Sequence, residues 1–180
     1  MKDENFRGVW VGLLALIIIG LFLARDCAAQ SVRLDNLTPY LPTATERQVA
    51  DVASWVTVIA DVALDTRASW NAPNRVRSFE LQGVRVAATY GAVFAAKLLV
   101  FRERPCGWFS LSEGCGIDNP NTSFFSGHTA LAFSTIGGPR LAIGLPLAIS
   151  TGGLRIAAGK HWLTDTLVGA GVGLLTSRIR

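Results

Sequence analysis

The chain contains only two histidines, His128 and His161, and both have polar neighbours that are unusual in so apolar a sequence. His161 belongs to the pattern Arg155-x5-His161-x3-Asp165. On a helix, side chains four residues apart lie on one face, so the Asp165 carboxylate would hold the tautomer of the imidazole and stabilise its cation. Such a pair occurring alone is usually a surface ion pair. Its meaning therefore depends on the other groups that the sequence supplies.

Ser126, Gly127 and His128 follow a polar, turn-rich stretch, 118–122, and begin an apolar segment. Serine is a good helix N-cap, and glycine lets a ligand approach the backbone closely. The exposed amide groups and the helix dipole at such a position attract an anion. Taken alone, the three residues indicate only the start of a helix.

Three cations complete the set. Lys97 lies late in an apolar segment, Arg104 follows it, and Arg155 precedes His161. A lysine in an apolar helix often only extends its ammonium group to the membrane interface. Combined with backbone donors and two histidines, however, three cations suit a multiply charged oxyanion. A helix out from His128, a turn near 138 and a helix back to Arg155 would return the chain to the same side. The set predicts a phosphoryl-transfer site.

Three spaced motifs thus occur in order within residues 80–175: Lys97-x6-Arg104-Pro105, Ser126-Gly127-His128 and Arg155-x5-His161-x3-Asp165. They resemble the signature motifs of the type-2 phosphatidic acid phosphatase superfamily, which includes bacterial acid phosphatases and vanadium haloperoxidases. Phe125 stands where that family usually has proline, and Leu154 where it often has serine. The stretch between the histidines is short for membrane members. These departures leave the catalytic residues intact.

The resemblance implies metal-independent hydrolysis through a phosphohistidine intermediate, with no cofactor. It implies that His161 attacks phosphorus, that Asp165 orients His161 and that His128 protonates the leaving oxygen. Elementary chemistry agrees, because a nucleophilic imidazole must be neutral and an acid must start protonated. Outside the His161/Asp165 pair, no spacing of histidines and acidic residues is typical of a metal site. The residues implied to bind the phosphate oxygens are Lys97, Arg104, Ser126, Gly127 and Arg155.

The elements that must position these residues are apolar. Of 180 residues, 50% are hydrophobic and 17% charged, and the mean hydropathy is +0.37. Soluble domains carry about 25% charged residues, so the composition favours a membrane protein or an unusually apolar core and excludes disorder and coiled coil. The net charge of +4 is too small and dispersed for a nucleic-acid partner. The length predicts a single domain over 1–180.

Residues 8–24 are uncharged and predict an N-terminal transmembrane helix. A cleaved secretory signal peptide is the alternative, because Lys2 and Arg7 precede this run and small residues follow it. Five further segments, rich in Ala, Leu and Val and bounded by Gly or Pro, are typical of helices. We expect an all-α fold: a six-helix membrane bundle with short helices and its active site at the outer membrane face. The five segments are 46–64, 78–101, 127–138, 141–158 and 162–177.

Four further features bear on this bundle. Basic residues are biased toward the face that carries the N-terminus, as in inner-membrane proteins whose N-terminus is cytoplasmic. Asp51 and Asp61 lie within segment 46–64, so they must be shielded by neighbours or lie in the interface. Gly169 and Gly173 have a small-xxx-small spacing that lets helices approach closely. The segments 127–138 and 141–158 are shorter than a bilayer core of about 30 Å.

Two of the three cysteines, Cys106 and Cys115, lie in a connection predicted to be outside the membrane. A disulfide persists in that environment, so we expect the two residues to be bridged. Zinc is the alternative, but two thiols without a second Cys/His pair make a poor structural site. Cys27 is then left as a free thiol.

Together these features predict a multi-pass phosphatase of the bacterial inner membrane with its active site facing the periplasm. Its expected partners are membrane lipids and a lipid phosphate substrate, such as phosphatidic acid, phosphatidylglycerol phosphate, a polyprenyl diphosphate or lipid A. The alternatives are a secreted or monotopic acid phosphatase for soluble phosphomonoesters, a vanadate-holding haloperoxidase and a non-catalytic lipid-phosphate-binding protein. The sequence leaves open the choice of lipid, hydrolysis versus phosphotransfer, and the oligomeric state.

Overall fold

The computed structural model describes residues 42–111, 115–137 and 141–180. These ranges contain six α-helices and no strand, so the predicted all-α class is confirmed; one isolated β-bridge joins Arg102 and Thr122. The predicted transmembrane helix 8–24 and Cys27 lie outside the described residues. The helices are α1 (Ala44–Trp70), α2 (Arg75–Leu99), α3 (Pro105–Trp108), α4 (Gly127–Thr135), α5 (Leu141–Ala157) and α6 (Leu163–Thr176).

Local sequence signals set several helix ends. Thr43 and Glu46 form a capping box at α1, in which Thr43 N–H donates to Glu46 Oε2 (2.7 Å) and Glu46 N–H donates to Thr43 Oγ1 (3.4 Å). The side chains of Asn74 and Ser126 cap α2 and α4. After α5, Gly159 has a φ of +67°, which favours glycine, and the chain turns there toward α6. These caps fix where the site-bearing helices begin and end.

The five predicted segments are all helical, with differences in length. α1 continues past the predicted end at 64 to Trp70, because the charges of Asp65 and Arg67 ended the apolar run but not the helix. α4 has only nine residues and is about 14 Å long at about 1.5 Å per residue. The single turn α3 was not among the predicted helices. Pro105 starts that turn, at a position where a proline costs no hydrogen bond. This proline was the feature of the sequence that could have indicated a helix start.

The short helix α4 lies at the centre of the bundle. It packs against α1, α2, α5 and α6, and every side chain from Thr129 to Thr135 is buried. Leu131 and Phe133 join a core cluster with Val58 of α1 and Ala148 of α5. Because α4 is enclosed on all these sides, its N-terminus is held in a fixed position.

Helix α6 approaches α4 closely through its glycines. A Cβ atom placed on Gly169 would lie 2.6 Å from the carbonyl oxygen of Ser126, and one on Gly173 would lie 2.6 Å from Phe133 Cβ. The small-xxx-small spacing is therefore used at a helix contact. As a result the first turns of α4 and α6 lie side by side, and Ser126 N–H donates to the Asp165 carbonyl at 3.1 Å.

We expect Gly173→Ala to lower the free energy of unfolding by about 2 kcal/mol, because the new methyl group would overlap the backbone of α4. Gly153→Ala is the matched control: no atom lies within 4 Å of a Cβ at that position of α5. The control should be neutral or stabilising by up to about 1 kcal/mol, since alanine is the better helix former. Denaturant unfolding of the two variants measures the difference. Equal stabilities would contradict the close packing of α4 and α6.

Helix α1 buries polar side chains and exposes apolar ones. Ser54, Asp61 and Asp65 are buried, and Asp65 forms an ion pair with Arg85 of α2 at 3.3 Å. Asp61 is 2% exposed, so the neighbouring helices shield it, as expected. None of the helices in the described ranges has both the length and the apolar character needed to cross a bilayer. The exposed large apolar residues of α1 are Val49, Val52, Trp55, Val56, Ile59 and Trp70.

Candidate functional site

The predicted site residues meet at one end of the bundle. Lys97 is in the last turn of α2 and Arg155 in the last turn of α5, whereas His128 is in the first turn of α4. Arg104 directly precedes α3, and His161 lies just before α6. Because α2 and α5 end where α4 and α6 begin, the helix directions gather side chains from distant parts of the sequence.

The carbonyl group of Ser123 holds the imidazole of His161. Nδ1 of His161 lies 2.7 Å from the Ser123 oxygen, and because a carbonyl only accepts, Nδ1 carries the proton and Nε2 has the lone pair. Asp165 Oδ2 is 3.7 Å from Nδ1, beyond hydrogen-bond length. The expected closeness of the two side chains is therefore present as an ion-pair contact, but His161 lies in the turn before α6, so the two residues do not share a helical face and the carboxylate does not hold the tautomer. The imidazole is instead oriented from another part of the chain.

Asp165 fixes the loop that holds His161. Its Oδ2 accepts hydrogen bonds from Ser123 Oγ (2.5 Å) and Trp162 N–H (3.0 Å), and its Oδ1 accepts one from Arg102 (2.5 Å). Burial alone would raise the pKa of Asp165, but the neighbouring His161 and the positive charge of Arg102 lower it below its ordinary value. Asp165 therefore acts on the imidazole in two ways: it holds Ser123 in place, and its own negative charge lies near the ring.

His128 lies in the wall of a pocket beside Trp55 of α1. The two rings meet edge to face with their centroids 4.1 Å apart. Nε2 of His128 is buried and has no hydrogen-bond partner among the residues that the structure describes. Because buried nitrogens are nearly always hydrogen-bonded, this unpaired nitrogen marks His128 as a functional candidate in the pocket wall.

Lys97 and Arg104 point at the same backbone carbonyl. Lys97 Nζ donates to the Thr122 oxygen at 2.5 Å, and Arg104 donates to it at 3.4 Å. Arg104 also donates to the carbonyls of Asn119 (3.0 Å) and Lys160 (2.9 Å), so it joins the loops around the site. Burial, followed by the charge of Arg104, lowers the pKa of Lys97 to about 8. Lys97 is therefore still mostly protonated at pH 7.

Arg155 reaches from α5 to two carboxylates. It forms an ion pair with Asp51 of α1, donates to Ser54 Oγ at 3.4 Å and lies 4.0 Å from Asp118 Oδ2. The side chain is 3% exposed. Its Nε atom is buried and, within the described ranges, has no hydrogen-bond partner. Arg155 thus has an unused donor at the same pocket as His128.

Ser126 and Gly127 form the N-terminus of α4. The buried Ser126 Oγ accepts from Thr129 N–H (3.4 Å) and Thr129 Oγ1 (2.9 Å), so this side chain acts as the helix cap. The Gly127 amide lies in the first turn, where no acceptor within the helix is available. These residues therefore supply a helix N-terminus next to His128.

A pocket of about 260 Å³ opens beside these groups. Its wall contains His128 and Arg155 from the predicted set, together with Asp51, Asp118 and Lys160. Lys160 Nζ lies 3.0 Å from Asp118 Oδ2 and 3.8 Å from Asp51 Oδ2. The lining residues are Ala44, Arg47, Gln48, Asp51, Trp55, Gly116, Ile117, Asp118, His128, Arg155, Ala158 and Lys160.

No family model, curated protein or solved structure matches this chain. The chemistry assigned to this pocket therefore depends on the side chains around it. The pocket wall holds one imidazole, that of His128, and the carboxylates of Asp51 and Asp118. Its cations are Arg47, Arg155 and Lys160, whereas Lys97, Arg104 and His161 lie outside this wall. Such an excess of cations over carboxylates suits an oxyanion.

Cys106 and Cys115 are joined by a disulfide, with their Cα atoms 5.3 Å apart. The bridge ties α3 to the loop that leads to Asp118, and Lys160 Nζ donates to the Cys115 carbonyl at 2.8 Å.

In the part of the chain that the structure describes, no group of three or more His, Cys, Asp or Glu side chains is placed to hold a metal ion.

Five polar residues of this site were not among the predicted site residues. Asp51 was noted as a charge within an apolar segment, Asp118 belonged to a turn-rich stretch, and Lys160 directly precedes His161, so each had a weak signal. Ser123 and Arg102 had none. Ser123 Oγ and Arg102 reach Asp165 across 42 and 63 residues of sequence, which no local pattern reveals.

Both histidines are neutral in the folded protein at pH 7. From an ordinary value of 6.5, burial lowers the pKa of His161 to about 4 and that of His128 to about 3, and the positive charge of Arg155 acts in the same direction. Between these values and 6.5 the unfolded chain binds protons that the folded protein does not. The free energy of unfolding should therefore fall as the pH decreases through this window, by at most about 1.4 kcal/mol per pH unit for each histidine.

Urea unfolding across that window measures this slope. His161→Gln and His128→Gln should each make the profile flatter, because glutamine does not titrate. Profiles of both glutamine variants that are as steep as that of the wild type would contradict the burial of neutral imidazoles, and this comparison leaves out the opposite contribution of Asp61, whose pKa burial raises to about 7.

Proposed function

We propose that this pocket, together with the buried cluster of His161, Lys97 and Arg104 next to it, binds the phosphate group of a phosphate monoester or diphosphate and hydrolyses it, without a metal ion, through a phosphohistidine at His161. One observation carries the proposal: Arg155 Nε and His128 Nε2 are both buried without a partner in the described residues, at a pocket lined by cations. Buried nitrogens are nearly always hydrogen-bonded, and a phosphate group bound here would offer acceptors to both once the side chains that cover them move aside. The resemblance of three motifs to those of the type-2 phosphatidic acid phosphatase superfamily supports the same chemistry.

In the first step, the Nε2 lone pair of His161 attacks phosphorus and the bond to the leaving oxygen breaks. His128 gives its proton to that oxygen, so the leaving group departs as an alcohol or as a phosphate that carries this proton. The phosphorylated imidazole is cationic because Nδ1 keeps its proton on the Ser123 carbonyl. The Asp165 carboxylate, 3.7 Å away, stabilises that cation.

In the second step, water attacks phosphorus, His128 takes a proton from the water, and the bond to Nε2 breaks. His161 then returns to its neutral state with Nδ1 protonated. Lys97, Arg104 and Arg155 stabilise the charge on the phosphate oxygens during both steps, which is the main contribution a protein makes to phosphoryl transfer.

Substrate itself would supply the acid form of His128. The low pKa of the buried imidazole leaves it neutral in the free protein. A phosphate dianion bound beside it raises the pKa, because an opposite charge favours the protonated form. His128 therefore becomes a proton donor only when a phosphate group is present.

We further propose that the substrate is a lipid phosphate and that the protein acts in the bacterial inner membrane, with the site at the periplasmic face. Helix α1 exposes apolar side chains and buries Asp61 and Asp65, which is the reverse of a helix on the surface of a soluble protein. This pattern suits contact with acyl chains. Trp55 and Ile117 line the charged pocket and are 52% and 106% exposed, so apolar surface adjoins the phosphate-binding groups. The apolar run 8–24 supports the same location.

The test is phosphate release by purified protein in detergent. Phosphatidic acid, phosphatidylglycerol phosphate, a polyprenyl diphosphate and lipid A are the lipid substrates, and p-nitrophenyl phosphate is the soluble one. We expect turnover of at least one lipid that resists EDTA and is inhibited by vanadate, which mimics the phosphorus at the transition state.

Release that requires an added divalent ion would contradict the metal-independent mechanism. Turnover of p-nitrophenyl phosphate alone would indicate a soluble-substrate acid phosphatase. Binding of a lipid phosphate without release would indicate a non-catalytic binding protein.

A further inference from the structure

The carboxylate of Asp118 lies among three cations, of which Arg155 and Lys160 line the pocket and Arg104 lies behind its wall. Its Oδ2 is 3.0 Å from Lys160 Nζ and 4.0 Å from an Arg155 nitrogen, and its Oδ1 is 3.8 Å from an Arg104 nitrogen. Burial would raise the pKa of Asp118, but the charges of Arg104 and Lys160 lower it below its ordinary value, so the group is an anion at neutral pH. An anion of the chain itself is therefore placed between the two arginines assigned to phosphate.

We propose that Asp118 is a resident carboxylate that occupies the phosphate-binding position of this pocket and that the substrate's phosphate group displaces it. This inference rests on the proposed function, because it takes Arg104 and Arg155 as phosphate ligands. It adds Lys160 as a fourth cation of the same binding position. It also makes Asp118 an internal competitor that occupies these cations when an anion binds only weakly.

The contacts of Asp118 are loose enough to exchange. Only the contact with Lys160 is within hydrogen-bond range, whereas those with Arg104 and Arg155 are 3.8 and 4.0 Å long. The carboxylate also leaves Arg155 Nε without a partner. A phosphate group has three outer oxygens in a tetrahedral arrangement and up to two negative charges. It can engage more of these donors than a planar carboxylate with one charge.

Displacement breaks the contact with Lys160 and turns the side chain of Asp118 toward solvent. Asp118 is 32% exposed, so the carboxylate has a path to solvent. Its loop stays anchored without it, because Arg104 N–H donates to the Pro120 carbonyl at 2.7 Å and Arg104 Nε donates to that of Asn119 at 3.0 Å. Next to it, Ile117 is fully exposed and does not tie the segment to the core.

This arrangement has a consequence for specificity. A monoanion such as a phosphodiester or a carboxylate gains little by replacing Asp118, since it brings the same charge. A phosphate monoester dianion brings one more negative charge to the four cations. Competition from Asp118 therefore favours the binding of dianionic groups and lowers the affinity for any anion that carries a single charge.

The experiment compares vanadate and inorganic phosphate binding by calorimetry for the wild type, Asp118→Asn and Glu103→Gln. Glu103 is an exposed carboxylate next to Arg104, so its variant makes the same change in net charge without removing the proposed competitor. We expect Asp118→Asn to bind both anions about fivefold or more tightly than the wild type. Glu103→Gln should stay within about twofold of the wild type.

Asp118→Ala provides a second variant with a different readout. In this variant added acetate should compete with vanadate, because acetate can take the place of the missing carboxylate. In the wild type acetate should have no effect at the same ionic strength. Thermal unfolding of each variant verifies that the folded protein is being measured.

The outcomes separate the two proposals. If the wild type binds vanadate and Asp118→Asn binds it equally or more weakly, Asp118 is not a competitor and the proposed function still stands. A gain as large in Glu103→Gln would also overturn the inference, since net charge alone would explain it. If neither the wild type nor the variants bind vanadate or phosphate, both the inference and the proposed function fail.

Discussion

His161→Gln is expected to reduce phosphate release by a factor of about 10³ or more, because the variant lacks the lone pair that attacks phosphorus. The glutamine amide can still donate a hydrogen bond toward the Ser123 carbonyl, which is 2.7 Å from Nδ1 in the wild type. The fold should therefore survive the substitution better than it would with alanine. Thermal unfolding and initial rates on the best lipid substrate measure the two properties separately.

A labelling experiment identifies the nucleophile directly. Wild-type protein quenched during turnover of a ³²P-labelled substrate should carry an acid-labile label, as phosphohistidine does, and His161→Gln should carry none. His128→Gln is the matched control, since it removes the other imidazole of the pocket. With a substrate whose leaving group needs no proton, this control should still form the labelled intermediate and hydrolyse it slowly.

Two results would contradict the assignment. Turnover by His161→Gln comparable with the wild type would exclude His161 as the nucleophile. A label that persists in His161→Gln but disappears in His128→Gln would exchange the roles of the two histidines.

The sequence predicted the helices well because their signals are local. Apolar segments bounded by Gly or Pro gave five of the helices, and capping residues such as Thr43 and Asn74 explain where α1 and α2 start. The motif spacing likewise predicted that Lys97, Arg155 and His161 belong to one site, since a helix out and a helix back return the chain to its starting side. The structure places them at one end of the bundle.

The local pattern failed where contacts are long-range. Spacing alone put Asp165 against His161 on a helix, whereas the structure places the carbonyl of Ser123, 38 residues away, on Nδ1. Asp118 has the appearance of a turn residue in the sequence, because nothing nearby shows that the loop folds back over Arg155. The reversed pattern of α1 was also hidden, since an apolar segment does not reveal which of its faces is buried.

The Asp165 carboxylate combines two roles, and Asp165→Asn should affect both. The side chain is 0% exposed and pairs with Arg102, whose side chain is 9% exposed. Removing one partner of a buried ion pair costs about 3–5 kcal/mol, because the remaining charge loses its counter-ion in a poorly solvated place. Arg102 would keep its hydrogen bond to Thr164 Oγ1 (2.7 Å), so we expect the lower part of that range. Denaturant unfolding measures the loss.

The double variant Asp165→Asn/Arg102→Met separates stability from catalysis. Replacing the guanidinium by an apolar side chain of similar length removes the other charge of the buried pair, so much of the lost unfolding free energy should return. Phosphate release should not return, because the phosphorylated His161 cation would still lack a carboxylate. Recovery of both properties would mean that Asp165 acts only through the fold. A single Asp165→Asn variant with wild-type stability would contradict the buried ion pair itself.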